Sequence, residues 1–149
     1  MAVRIHRPAG QAGFSLTELL VVIIIISILA GVVAVALLDA PGQAKVAAAR
    51  SQVDVMYTAL TRYKLAHNRF PTQQQGLNAL VKQPTAAPVP SGYPQYGYLE
   101  SRTLPLDPWD NPYVYLVPGR DVPVEVLSYG SDGEPGGEGD AADISSADP

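Results

Sequence analysis

Residues 13–31 read GFSLTELLVVIIIISILAG, an apolar run with one carboxylate, Glu18, close to its head. From Leu19 to Leu38 the chain continues as LLVVIIIISILAGVVAVALL, 20 residues without a charge. At roughly 1.5 Å per residue that is about 30 Å of helix, the thickness of a bilayer core. A carboxylate at the edge of such a segment is costly and calls for a partner. Ahead of it stands a basic leader, MAVRIHRPAGQAG, in which Arg4 and Arg7 precede the span and hold the N-terminus in the cytoplasm. The remainder is then exported, in a Gram-negative cell into the periplasm.

A secretory signal peptide has a shorter apolar core and a small-residue cleavage site before a polar mature start. Here the run is longer, and DAPGQAKVAAARSQVDVMYTALTRYKLAH follows it with helical periodicity. Val46, Ala49, Val53, Met56, Tyr57, Leu60 and Tyr63 recur at three- and four-residue spacing, as one face of an amphipathic helix does. A membrane-spanning helix thus runs on into a soluble one, with a break expected at Ala40–Gly42.

Composition excludes several functions. With no cysteine there is no thiolate nucleophile, disulfide framework or thiolate metal site. Two histidines, His6 and His67, lie far apart without ligand-spaced companions, so no Ser-His-Asp or His-metal arrangement is available and the chain is not expected to be an enzyme. A formal net charge of −4 and the lack of an aromatic-interleaved basic patch exclude nucleic acid as a partner. His67 reads as a helix-end residue.

Beyond the long helix, Thr72 and Gln75 have capping-box spacing with Pro71 just ahead, which predicts a short helix over about 73–82. PTAAPVPSGYPQYGY reads as a loop packed by Tyr93, Tyr96 and Tyr98. Trp109, inside a Pro-rich turn, reads as a packing anchor. Tyr113 to Val117 and PVEVLSYG (123–130) read as strands. The few residues between them allow antiparallel pairing only, and the small sheet is expected against the long helix.

No Lys or Arg follows Arg120, while Asp132, Glu134, Glu138, Asp140, Asp143 and Asp148 crowd the end of the chain. Composition alone favours a solvated acidic tail. Two details point toward an ordered loop: it follows directly on a strand, and its many glycines permit a tight wrap. Converging carboxylates and carbonyls suit a hard cation such as calcium, although the EF-hand pattern is absent.

The leader's Gly13, then Phe14, then Glu18 at the fifth residue after the glycine, then about 20 apolar residues, resemble the type IV pilin-like signal. That resemblance implies cleavage between Gly13 and Phe14 by a cytoplasmic-side prepilin peptidase, which then methylates the Phe14 amine. RFPTQQQGLNALVKQP, LPLDPWDNPYVYLVPG and SYGSDGEPGGEGDAADI are similar to the major pseudopilins of the type II secretion system. Type IV pilins usually close their C-terminal region with a disulfide, which this chain cannot form.

The family resemblance implies an α+β, pilin-like fold: a long N-terminal helix packed on a small antiparallel sheet, with a C-terminal calcium loop. It divides the chain into a cleaved leader (1–13), a transmembrane and filament-core helix (14–38), its amphipathic continuation (39–67), and a periplasmic globular region (68–149) with the loop at about 129–144. By position it implies Asp132 and Asp143 as carboxylate ligands of a structural Ca²⁺, the Tyr129 carbonyl as a backbone ligand, and Asp140 as a further one. It implies that Glu18 meets the Phe14 amine of a neighbouring subunit. Expected partners are other copies in a homopolymeric filament, the prepilin peptidase/methyltransferase, minor pseudopilins, the inner-membrane assembly platform and the membrane itself. The implied function is the major subunit of the secretion pseudopilus; a type IV pilus or competence pilin, or a minor pseudopilin, is the alternative. Two departures stand out: the family's usual proline at the twenty-second residue after cleavage is here Val35, which leaves open local melting of the core helix there, and the chain ends SSADP without an aromatic close.

Overall fold

Ser15 opens the first element. Its carbonyl accepts the Glu18 and Leu19 amides at 3.0 and 3.2 Å, and its hydroxyl accepts the Thr17 amide at 3.2 Å. The helix α1 that follows spans Leu16–His67. Glu18 lies in its first turn and Lys64 and His67 in its last, both in accord with the helix dipole. Asn68, at φ 57°, ends it in the left-handed conformation common at helix C-termini. The computed structural model describes residues 13–148, with side-chain surroundings for 13–31 and 41–148. The leader up to residue 12 and the side chain of Val35 lie outside the described residues.

The chain divides into two compact units, one ending at Ala40 and the other beginning at Pro41. The helical assignment continues across this boundary, although Pro41 lacks the N–H that would bond the preceding turn. The break expected from the sequence is therefore a boundary between units within one assigned helix. In the first unit every described side chain is exposed, including Phe14 at 78% and Leu16 at 81%. A helix apolar all round needs apolar surroundings. Among the described residues no helix is long and apolar enough to cross a membrane; the expected span also needs residues 32–38, whose side chains are not among them.

The second unit holds the core. One face of α1 contributes Ala49, Val53, Met56, Ala59, Leu60 and Tyr63, each at most 2% exposed. Tyr57, expected on that face, is 37% exposed, and Ala59 takes the inward position. Against this face lies a three-stranded antiparallel sheet in sequence order: β1 (Val114–Leu116), β2 (Glu125–Ser128) and β3 (Ile144–Ser145). Tyr115 pairs with Val126, and Ser128 with Ile144. Alternation then turns Tyr113, Tyr115, Val124, Val126 and Ile144 toward the helix. The two-residue β3 is too short to announce itself by pattern, so only β1 and β2 are visible in the sequence.

The capping box forms but does not start an α-helix. Thr72 N–H donates to Gln75 Oε1 at 3.0 Å, and Gln75 N–H donates to Thr72 Oγ1 at 3.2 Å. Gly76 then adopts φ 57°, ψ −166°, which no helix continues. The expected helix over 73–82 is instead a turn followed by a 3₁₀ helix at Leu77–Leu80, whose Leu77, Ala79 and Leu80 are buried. Gln73 serves the exposed edge of β1: its side-chain amide donates to Tyr115 O at 2.6 Å and accepts Val117 N–H at 3.0 Å. This occupies backbone groups that an edge strand would otherwise leave open to another chain.

Candidate functional site

The peptide bond between Gly13 and Phe14 precedes the first helical residue. Phe14 is 78% exposed, and an added Cβ at Gly13 would meet nothing within 4 Å among the described residues. The bond therefore lies outside the hydrogen bonding of α1. Glu18, also exposed, stands one helical turn beyond Phe14.

The acidic segment is an ordered loop between β2 and β3. Ser131 N–H donates to Asp140 O at 2.9 Å, and Asp143 N–H donates to Gly136 O at 3.1 Å. Asp132 Oδ1 accepts the Glu134 amide at 3.0 Å, and Asp143 Oδ1 accepts the Gly136 amide at 2.9 Å. Gly130, at φ 65°, lets the two ends close: an added Cβ would come within 2.7 Å of Asp140 O and Ala141 C. Tyr129 follows β2 immediately, so strand pairing fixes the start of the loop.

The sequence-selected ligands are placed as follows. Tyr129, Asp132 and Asp143 lie on the closed loop. Asp140 gives its carbonyl to Ser131, while its carboxylate lies against Gly42 of α1, 3.6 Å from where a Cβ would stand. Asp148 caps β3, accepting the Ser145 amide at 3.3 Å. Among the described residues no three acidic or imidazole side chains converge as a metal-holding group. The donor chemistry nevertheless fits a hard cation. Asp132 and Asp143 each commit only Oδ1 to a loop amide, and no hydrogen bond engages either Oδ2 among the described residues. No acid of the loop is paired with a cation there either; the ion pair of this region is Arg120–Glu125.

A polar brace joins the loop to the DPWDNPY turn. Asp107 is 3% exposed. Its Oδ1 accepts the amides of Trp109 and Asn111 at 3.0 and 2.8 Å, and its Oδ2 accepts the Ser128 hydroxyl at 2.7 Å. Ser128 Oγ accepts the Gly130 amide at 3.3 Å, and Asn111 Nδ2 donates to Gly130 O at 3.0 Å. Sequence reasoning singled out this motif for its pattern and missed the brace. The visible signal was an Asp and an Asn four residues apart in a turn, each able to hydrogen-bond backbone.

Trp109 packs against the core, as expected of an anchor. Tyr93 and Tyr98 pack around Tyr63 and His67, with Tyr98 Oη 2.7 Å from His67 Nε2. Burial, then the nearby Arg69 charge, push the His67 pKa down. Burial, with the neighbouring tyrosines, pushes that of Tyr93 up to about 12. Tyr96 departs from the expectation: it is 65% exposed, beneath the Arg102 guanidinium.

The comparisons with known proteins agree with this architecture. The family model described as type II secretion system (T2SS), protein G matches residues 36–147, and the prokaryotic N-terminal methylation motif matches residues 8–34. Type II secretion system core protein G of Pseudomonas aeruginosa is 45% identical over 138 residues, 93% of this chain and 96% of that one. Its counterpart in Vibrio cholerae is 43% identical over 134 residues, 90% of each chain. The crystal structure of the major pseudopilin from the type 2 secretion system of enterohaemorrhagic Escherichia coli matches with a TM-score of 0.60 at 39% identity, covering 70% of this chain and 87% of that one.

Proposed function

The chain belongs to the type II secretion system protein G family, and from that premise we propose that it is the major structural subunit of a secretion pseudopilus, made as a membrane-anchored precursor. The observation that carries this is the methylation motif over 8–34 joined to the protein G region over 36–147 in one chain. A prepilin peptidase cuts after Gly13 and methylates Phe14. The subunit waits in the inner membrane with its globular unit in the periplasm. The assembly platform, powered by a separate cytoplasmic motor, adds it to a filament in which minor pseudopilins also take part. The filament then drives folded cargo toward the outer membrane. The subunit works by assembly and needs no catalytic group of its own. The relatives do not favour the competence-pilin or minor-pseudopilin alternative.

Expression with an inner-membrane assembly platform tests this reading. A major subunit yields long filaments, and the protein recovered from them begins at N-methylated Phe14 by mass spectrometry. Short or absent filaments alongside normal processing would point to a minor subunit.

The acidic loop binds a structural Ca²⁺, with Tyr129 O, Asp132 and Asp143 as the ligands and Asp140 a further candidate. Unpaired acids on a glycine-rich loop support this. The ion supplies positive charge that offsets their repulsion and, as with other structural metals, makes binding energy part of folding energy. Melting of the full chain in detergent micelles tests it: a chelator lowers the Tm and added Ca²⁺ restores it. A Tm indifferent to excess chelator rules it out.

A further inference from the structure

The loop is held very unequally at its two ends. Its first residues are tied to the DPWDNPY turn through side chains that are themselves buried or anchored. Ser128 is fully buried and Asp107 nearly so. Between them Asp107, Ser128, Gly130 and Asn111 form a closed circuit: Ser128 Oγ–H to Asp107 Oδ2, Gly130 N–H to Ser128 Oγ, Asn111 Nδ2–H to Gly130 O, and Asn111 N–H to Asp107 Oδ1. Asp107 N–H closes the turn on Asn111 O at 2.9 Å. An added Cβ on Gly133 would stand 3.2 Å from Asn111 Oδ1, so the same side chain also backs the next turn of the loop. None of these bonds involves Asp132, Asp140 or Asp143 side chains. The later part, 134–143, is exposed through residue 140 and is held mainly by bonds within the loop.

We propose that Asp107 and Asn111 are positioning residues for the cation site, which lock Ser128–Gly133 in its ligand-ready form before the ion arrives, so that binding need order only residues 134–143. The inference rests on the calcium reading above and specifies how this chain prepares the site. Tyr129 sits inside the braced segment, between Ser128 and Gly130, both of which belong to the circuit. Its carbonyl direction is therefore set by Asn111 and Ser128 rather than by the ion. Preorganisation of this kind raises affinity by removing an ordering cost from the binding step.

The test uses the full chain in detergent micelles, with hydrogen exchange of individual amides and calorimetric titration with CaCl₂. Excess chelator leaves Asn111 and Gly130, whose acceptors lie inside the circuit, slow to exchange while Gly136 and Asp143 become fast; added Ca²⁺ slows all four. Asn111→Ala speeds Gly130 in chelator and weakens Ca²⁺ binding at least tenfold. Ser128→Ala, which removes the hydroxyl between Asp107 and Gly130, acts the same way and serves if Asn111→Ala fails to fold. Unchanged Ca²⁺ affinity in the folded variants overturns the positioning role while leaving the calcium site standing. Equal exchange of all four amides in chelator overturns the preformed half-site. Wild type that takes up no Ca²⁺ overturns the calcium reading and this inference with it.

Discussion

Arg120 encloses the carboxylate of Glu125: Nε and Nη2 donate to Oε1 at 2.9 and 2.6 Å, and the Arg120 amide donates to Oε2 at 2.9 Å. Ser145 of β3 donates its hydroxyl to Oε1 at 2.6 Å. The Glu125 side chain is 0% exposed and that of Arg120 55%. One buried acid thus closes the turn between β1 and β2 and ties β2 to β3. The Arg120 hydrogen bonds outweigh burial and hold the Glu125 pKa down at about 2, against an ordinary 4.5.

Because the folded-state value is depressed, the stabilisation is fully present above about pH 4.5 and is lost as the pH falls toward 2. It amounts to at most about 3 kcal/mol at neutral pH. Denaturant midpoints should fall steeply between pH 5 and 2 in wild type and more shallowly in Glu125→Gln. Identical pH profiles for the two proteins would show that the pair contributes nothing. Arg120→Ala leaves a buried charge unpaired and should cost about 3–5 kcal/mol at neutral pH.

Gln75 is 6% exposed and joins three segments, since its Nε2 also donates to Ala86 O and Pro88 O at 2.8 and 3.1 Å. Gln75→Ala orphans Ala86 O and the Thr72 amide, while Pro88 O keeps the Arg69 guanidinium at 3.0 Å, and should cost about 1–3 kcal/mol. Gln75→Glu keeps the capping acceptor but loses the donor, so it should release the 86–88 loop selectively, visible as faster local proteolysis.

Register of the amphipathic face can be tested by a pair of substitutions. Leu60→Ala empties a fully buried site and should cost about 2–5 kcal/mol. Tyr57→Ala, three residues away but on the exposed side, should change stability by no more than about 0.5 kcal/mol. Similar losses at both positions would mean that the face is misassigned.

Glu18 stands exposed in the first turn of α1, four residues beyond Phe14, whose amine the proposed cleavage after Gly13 would free. Glu18→Ala and Glu18→Leu should still be inserted and cleaved yet assemble poorly. Processing is read by mass spectrometry of Phe14 and assembly by filament yield; wild-type yields from either variant would remove Glu18 from the docking role.

The apolar run, its basic leader and the 3.6-residue period are local and additive along the chain, so the long helix was legible in the sequence by itself; two alternating runs with a short connection made the small antiparallel sheet legible, and the resemblance of the signal, the DPWDNPY segment and the Gly-rich acidic tail pointed to the family. The sequence also placed most of the helix face correctly. What it could not supply were relations between residues far apart in the chain. Tyr57 and Ala59 flank the buried face on opposite sides, and only tertiary packing decides that the Ala59 flank is covered and the Tyr57 flank is not. The Thr72–Gln75 box is legible, but the backbone of Gly76 turns its helix into a 3₁₀ turn. Nothing local to the second strand names Arg120 and Ser145, which close over the buried Glu125 carboxylate. Asp107 and Asn111 looked like turn formers until Ser128 and Gly130 arrived from across the sheet. Periodicity reports which side of an element is apolar; only the tertiary fold decides which buried polar groups find each other, because each of those bonds must repay desolvation with a partner that local sequence does not name.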